Sequence, residues 1–534
     1  MSHFKRALAV LMALLMVLSC GVMASAEEEM VTLTTCKSIS DTLQGFIDKK
    51  NDVLTDNIWF NAYRDLLGVD VQYEWTVPDT QYNEKLSAQI AANDLPDFFN
   101  VNASQLKQLV DYGMAMDLTD LFYNNASEFT MSMMEADMYQ SLGQATFDGK
   151  LYAIPVSGGS RDSAAFWWIR KDWLDKLNLE IPTTVDELVN VMYAFTNDDP
   201  DGNGEADTYG MAMTKDLFGT NGMEALAEGF GAYTDGWVEV DGEKQYGSIQ
   251  PQVKKTLELL NKLYADGVID REFIVKDGSK VGEDISAGRI GLVSGQHWMA
   301  FDAMNRTHQA NPEADWIAIS IVSEDGSKPK TMLDGSAWSY YVINPDCQHP
   351  EKVIDMYNFF FKVEVAVSPD YDPAYHGRLD ADPNSEITQY YNWAAINGAY
   401  PMQNIYIHMG VEKHYNGDDS EMHNGWITDN VSGIDRYLAG DETYYSTYIW
   451  SGPGEFSGEG RIHYYEENDM FLPNAYTGAD TDSMTMFNAT LDQLRLEMFT
   501  KIIVGEEPVD AFDTYVEQWK ALGGDMITME VNAR

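Results

Sequence analysis

The chain reads as an α/β protein folded into two lobes, and three observations predict this. Its 534 residues exceed what one hydrophobic core ordinarily organises. After Glu27, short apolar runs alternate with amphipathic stretches at helical spacing, the pattern of strands joined by helices. Between Tyr152 and Gly210 one such unit closes, turns, and a second begins.

The N-terminus reads as an export signal: Lys5 and Arg6 precede an apolar run, Ala7 to Leu18, too short for a stable bilayer span. Two processing sites compete. Ala24-Ser25-Ala26 is a small-x-small site that would leave Glu27 first. Val17-Leu18-Ser19-Cys20-Gly21 resembles a bacterial lipobox, with Val17 where Leu is usual and Cys20 as the lipidated residue. Either route places the protein outside the cytoplasm, secreted or held at the membrane surface.

In the first unit, Val31 to Thr35, Val69 to Trp75 and Leu95 to Phe99 read as strands. Leu54 to Leu67 sets Trp59, Phe60 and Tyr63 at helical spacing, and Gly68 supplies a stop. Tyr82 to Ala92 and Gln105 to Asp111 read as further helices. This alternation predicts parallel pairing. No Gly-x-Gly-x-x-Gly follows the first strand, so a dinucleotide site of the usual kind is not supported.

The second unit opens beyond Ser157 with the apolar run Ala164 to Ile169. Thr184-Val-Asp-Glu187 reads as a capping box before a helix that turns Leu188, Val191, Met192 and Phe195 inward. Val253 to Tyr264 is a second amphipathic helix, and Ile290 to Val293 and Trp316 to Val322 are strands. Ala337 to Ile343 then reads as a strand, followed by a helix with Pro350 in its first turn. Residues 366–480 are rich in Tyr, Asn, Asp and Gly with weak periodicity, and predict only irregular or helical surface elements. Met484 to Ile503 and Pro508 to Leu522 read as helices, the last stopped by Gly523-Gly524.

Composition narrows the function. The net charge is −50, with 35 basic and 85 acidic side chains. Such a field repels phosphate backbones, so nucleic acid is excluded as a partner. Cys36 and Cys347 do not make a disulfide framework and are expected as two separate buried thiols.

One loop has metal-ligand spacing. Asp199, Asp201, Asn203 and Asp207 occupy positions 1, 3, 5 and 9 of an EF-hand-like series, with the Glu205 carbonyl at 7 and Gly204 at the turn. Alternating oxygen ligands around a tight turn suit a structural Ca2+ ion. The usual Glu at position 12 is absent, its place taken by Gly210.

Several motifs occur in order: Asn93-Asp-Leu-Pro-Asp97, Gly113 to Leu121, Tyr152-Ala-Ile-Pro155 and Trp168-Ile-Arg-Lys-Asp-Trp-Leu174. After them come Ile181-Pro-Thr-Thr-Val-Asp-Glu187, Asp199-Pro-Asp-Gly-Asn-Gly204, Glu497-Met-Phe-Thr-Lys-Ile-Ile503, Gly505-Glu-Glu-Pro508 and Tyr515-Val-Glu-Gln-Trp519. Together they resemble the extracellular solute-binding proteins of family 1, in the large lipoprotein-type branch that feeds carbohydrate ABC importers. The resemblance covers almost the whole chain after the signal.

The resemblance implies a type II periplasmic-binding-protein fold whose lobes close on a sugar and dock on a membrane permease. It implies residues 27–155 and 324–365 in lobe 1, and 156–323 and 366–534 in lobe 2. The first crossing falls near Tyr152–Ser157 and the return near Ile319–Ser323. It also implies where ligand contacts lie. Trp298, beside His297 in a loop after a strand, stands where maltose-type proteins hold a stacking Trp. Arg161 and Asp162 follow the first crossing, where the family places polar sugar ligands. Trp338 lies on the strand returning to lobe 1, Trp59 near a helix start, and Asn100 and Asn102 at the cleft mouth. Thr208 falls where alginate-type relatives carry a last calcium ligand. Such sites combine aromatic platforms for the C–H faces of sugars with polar groups for the hydroxyls.

Catalytic motifs are missing: the nine His form no HExxH and no Gly-x-Ser-x-Gly elbow is present. The expectation is therefore a monomeric, non-catalytic oligosaccharide-binding protein with ABC permease subunits as partners. A peptide-binding protein and a secreted polysaccharide-degrading enzyme remain as alternatives.

Overall fold

The computed structural model describes residues 30–50, 54–137, 140–157, 161–333, 337–376 and 390–533. The signal segment, its two processing sites and Cys20 lie outside the described residues.

The apolar side chains collect into two large cores. One takes residues from Leu33 to Val156, returns from Tyr340 to Val365, and includes Trp393 to Ile396. The other runs from Ala164 to Val322 and resumes from Ile405 to Val531. The chain passes between them after Ser157, after Leu333 and between Ile396 and Met402. The return expected near Ile319–Ser323 comes later, because Ile321 and Val322 pack in the second core and Thr331–Leu333 pairs with Phe471–Pro473. Likewise Trp393–Ile396, expected in lobe 2, fill the first core.

In the first lobe Val31–Ile39 pairs in parallel with Val69–Pro78. Between them runs helix Ile58–Leu67. Asn57 caps it by accepting from the backbone N–H groups of Trp59 and Phe60, and Gly68 ends it at φ 67°. Parallel pairing ends there. Ala337–Ile343 lies between Phe98–Val101 and Ile154–Ser157, antiparallel to both. The central strand arrives from the other lobe and so enters the sheet against the local chain direction.

The second lobe is built around Phe166–Arg170, every residue of which is buried. Leu292–Gly295 and Trp316–Ile319 flank it, both antiparallel. Helix Val185–Asn197 covers it with the predicted apolar face. Its cap differs in one detail: Thr184 caps the Glu187 N–H, but the Glu187 carboxylate accepts from Thr183 instead of closing on Thr184.

Residues 402–467 are more ordered than their weak periodicity predicts, forming helices Gln403–Tyr415, Gly425–Leu438, Tyr445–Ser451 and Gly458–Glu467. Glycines let them approach: a Cβ on Gly410 would meet Ile427 at 2.2 Å, and one on Gly460 would meet the Gly454 carbonyl at 2.0 Å. At the C-terminus Gly523, at φ 131°, bends the chain without ending it, and helix Asp525–Asn532 continues. Among the described residues no helix is long and apolar enough to cross a membrane. Cys36 and Cys347 are free and buried, as expected.

Candidate functional site

The first crossing strand, Ile154–Ser157, delivers Arg161 and Asp162 to the boundary between the lobes. Arg161 spans it. Its Nη1 donates to the Ala136 carbonyl at 2.5 Å, on a helix of the first lobe. Its Nε donates to Glu466 at 2.7 Å, on a helix of the second. In this conformation the guanidinium is a strut between lobes, with Nε and Nη1 engaged.

Asp162 begins a chain of polar contacts beneath an aromatic shelf. The Asn404 amide nitrogen lies 2.7 Å from Asp162 Oδ2 and 3.4 Å from His297 Nε2. The Trp450 indole N–H donates to His297 Nδ1 at 2.6 Å. An indole is a donor only, so Nδ1 must be the bare nitrogen and the neutral ring carries its proton on Nε2. Two donors would then face each other at Asn404. Turning the amide over removes the conflict, since its oxygen then accepts from Nε2–H and a protonated Asp162 donates to that oxygen.

Burial acts the same way. It pushes the Asp162 carboxyl up to about 8, against smaller opposing effects from Asn404 and Arg161. It pushes His297 down to about 3. Both groups are held neutral near pH ~7 because charge is costly without water. Asp162 Oδ1 is enclosed and lacks a partner. Glu459, fully buried nearby, is likewise raised by burial and by Asp162, and accepts from Ser451.

The shelf itself is exposed. His297 to Phe301 form a short helical turn after strand Leu292–Gly295. His297 points into the lobe, while Trp298 is 45% exposed and Phe301 48%. Trp450 stacks on His297 at 6.1 Å and meets Phe301 edge-on at 5.0 Å. Gly458 allows the close fit, for a Cβ there would lie 2.9 Å from His297 Cβ. Across the crossing, Trp338 is 70% exposed on strand Ala337–Ile343. Asn100 donates to Ser339 on the same strand at 2.9 Å.

Three expected residues do other work. Trp59 is fully buried and stacks on Phe360 at 5.4 Å, so it is core. Asn102 caps helix Ala103–Asp111, its side chain accepting from the Gln105 N–H. Thr208 is buried and donates to the Phe195 carbonyl, away from the acidic loop. Conversely, the sequence reading missed Asn404, Trp450 and Phe301. The first two lie where periodicity is weak, and the density of Tyr and Trp from Tyr444 to Trp450 is the one available signal.

In the acidic loop, the Asp199 carboxylate accepts from the N–H groups of Gly202 and Gly204, and Asp201 and Asp207 both take the Asn203 amide. Gly202 and Gly204 adopt φ of 77° and 82°, which folds these oxygens toward one another. Against desolvation, Asp199 is lowered by the Asp201 side chain and the N–H groups of Gly204 and Gly202, whereas Asp201 is raised by burial and by Asp199. Such a set of exposed, mutually repelling oxygens fits Ca2+.

A second pocket, about 400 Å³, lies beside Gln144, Asp235 and Arg495. Its rings face one another, Tyr246 stacked on Trp519 at 5.3 Å, and Trp237 and Trp519 are buried.

Residues 38–367 match the bacterial extracellular solute-binding proteins. The chain belongs to that family. It is 24% identical over 480 residues to the polygalacturonan/rhamnogalacturonan-binding protein YtcQ of Bacillus subtilis, covering 87% of this chain and 85% of YtcQ. It is 30% identical over 223 residues to the fructooligosaccharide ABC transporter substrate-binding protein FusA of Streptococcus pneumoniae, 39% of this chain and 40% of FusA. Among solved structures, an HMO-binding, ABC-transporter-associated solute-binding protein of Bifidobacterium longum infantis superposes with TM-score 0.63 at 17% identity, over 95% of this chain and 98% of that one. The alginate-binding protein AlgQ2 gives 0.57 at 17% identity, over 95% and 99%. These neighbours show the two-lobed periplasmic-binding-protein fold.

Proposed function

We propose that this solute-binding protein captures an oligosaccharide between its lobes and delivers it to an ABC importer, without catalysing a reaction on it. The carrying observation is the exposed aromatic surface of Trp298 and Phe301 set directly over the polar chain Asp162–Asn404–His297, at the lobe boundary. The two rings lie on one turn beside His297 and Trp450, and an exposed aromatic patch rimmed by polar groups is the kind of surface that marks a ligand-binding site. Trp338 and Asn100 supply matching groups from the first lobe. The names of YtcQ and FusA point to the same ligand class.

The geometry also favours binding over hydrolysis. The two carboxyls brought near each other, Asp162 and Glu459, are enclosed, and Glu459 has no exposed surface. A glycosidase pair must flank the scissile bond. Transport follows from closure: ligand contacts from both lobes stabilise the closed state, which the permease recognises. The acidic loop would hold Ca2+ through Asp199, Asp201, Asn203, Asp207 and the Glu205 carbonyl, a structural charge that relieves their repulsion. Export with Cys20 as a lipid anchor, and action as a monomer, complete the reading.

The test is calorimetry against a panel of oligosaccharides and peptides. A sugar should bind without turnover, and Trp298→Ala should weaken it about tenfold or more, ~1.4 kcal/mol, with the melting curve preserved. Peptide binding alone, product formation, or unchanged affinity in the variant would overturn the proposal.

A further inference from the structure

Two helices of the second lobe, Gln403–Tyr415 and Gly458–Glu467, each carry a His four residues before a Glu: His408 and Glu412, His463 and Glu467. Such spacing stacks both side chains on one helical face. Where the helices meet, three of the four converge. His408 Nε2 is 3.5 Å from Glu412 Oε1, and His463 Nδ1 is 3.7 Å from Glu412 Oε2. One ligand atom from each of the three lies within 4.8 Å of the other two.

Those separations have a chemical meaning. Tetrahedral zinc with bonds of about 2.0–2.1 Å sets neighbouring donors roughly 3.4 Å apart. The two His–Glu412 separations are long for hydrogen bonds but near that edge length, so small rotamer adjustments would bring the donors onto one ion. The surroundings agree. His463 turns its other nitrogen toward Glu467 at 3.7 Å, so a carboxylate stands behind the ring on the side away from Glu412. His408 is only 1% exposed and its Nδ1 has no hydrogen-bond partner, so Nε2, which faces Glu412, carries the polar contact of the ring. Gly460 leaves room for that ring, since a Cβ there would lie 3.0 Å from His408 Cε1.

We propose that His408, Glu412 and His463 form a binding site for a zinc-class divalent metal, with a fourth position open to water. Two imidazoles and one carboxylate select such ions over Ca2+, which takes oxygen ligands. The site is thus chemically distinct from the acidic loop. Its place gives it a consequence for the cleft. The first helix carries Asn404 and the second carries Glu466, the partners of Asp162 and Arg161. An ion joining the helices one to two turns away would fix the positions of both.

The experiment uses the exported chain, purified without a histidine tag and stripped with chelator, then titrated with Co2+ as a spectroscopic stand-in for Zn2+. One equivalent should produce visible d–d absorption that Zn2+ abolishes and excess Ca2+ does not. His463→Gln and Glu412→Gln should each weaken Co2+ at least about tenfold while keeping the wild-type circular dichroism spectrum. Asp201→Asn in the acidic loop should leave Co2+ binding unchanged. Absence of the absorption in wild type, equal affinity in both folded cluster variants, or loss on Asp201→Asn would overturn the assignment. Should one cluster variant fail to fold, the other and the Ca2+ competition still decide.

Discussion

Replacing Asp162 by Asn should stabilise the fold at neutral and alkaline pH. Burial pushes this carboxyl up to about 8, while in the unfolded chain it titrates near the ordinary value of roughly 3.9. Between those values the unfolded state has released a proton that the folded state keeps. Stability therefore falls as pH rises from ~4 to ~8, and is fully present only below the lower value. Near pH ~7 the gap is about three pH units at ~1.4 kcal/mol each, a ceiling of roughly 4 kcal/mol before relaxation around the carboxyl reduces it. An amide of the same shape carries no such penalty, and its NH2 can donate to the Asn404 oxygen as the acid proton does. The assay is the thermal midpoint of both proteins across that pH range. The advantage of the variant should be absent at the acid end and grow toward the alkaline end. A difference that does not change with pH, or a variant less stable at pH ~8 than at pH ~4 relative to wild type, would show that Asp162 is ionised in the fold. The amide orientation argued from Trp450 and His297 would fall with it.

Other consequences can be checked in the same preparations. Trp59→Ala should cost about 3–5 kcal/mol in chemical unfolding, as a large buried ring is lost, yet leave the ligand affinity of the folded fraction unchanged. Ca2+ added to chelator-stripped protein should raise the melting temperature of wild type, whereas Asp201→Asn should not respond to it. Arg161→Ala removes contacts to Ala136 and Glu466 together. Small-angle scattering of the ligand-free variant should then show a larger radius of gyration, and calorimetry a weaker ligand.

Local chemistry made much of the fold readable. Gly68 and Thr184 mark helix ends because caps and left-handed turns are decided within a few residues. Leu188, Val191, Met192 and Phe195 face one core because a 3.6-residue period aligns them. The junction at Tyr152–Ser157 was visible because an apolar run there gives way to the sequence Ser157-Gly-Gly-Ser160. The oxygen spacing from Asp199 to Asp207 is likewise a property of consecutive residues.

What failed were inferences about neighbours distant in sequence. Strand direction in both sheets depends on the lobe from which Ala337–Ile343 and Phe166–Arg170 arrive, which no local pattern encodes. Helices from Gln403 to Glu467 hid their periodicity because their packed faces carry Gly410, Gly433 and Gly460 as well as buried polar groups such as Asn424 and Glu459. A tryptophan's type does not reveal its exposure: Trp59 meets Phe360 and is core, while Trp298 meets solvent.

The sequence by itself determined the two α/β units, the acidic loop and the place of the first crossing, because each rests on residues close along the chain. Only the tertiary structure decided that Asp162, Asn404, His297 and Trp450 form one polar chain, or that His408, Glu412 and His463 converge. Those side chains come from segments separated by tens to hundreds of residues. Their charge states are set by shared burial, which exists only once the lobes are folded.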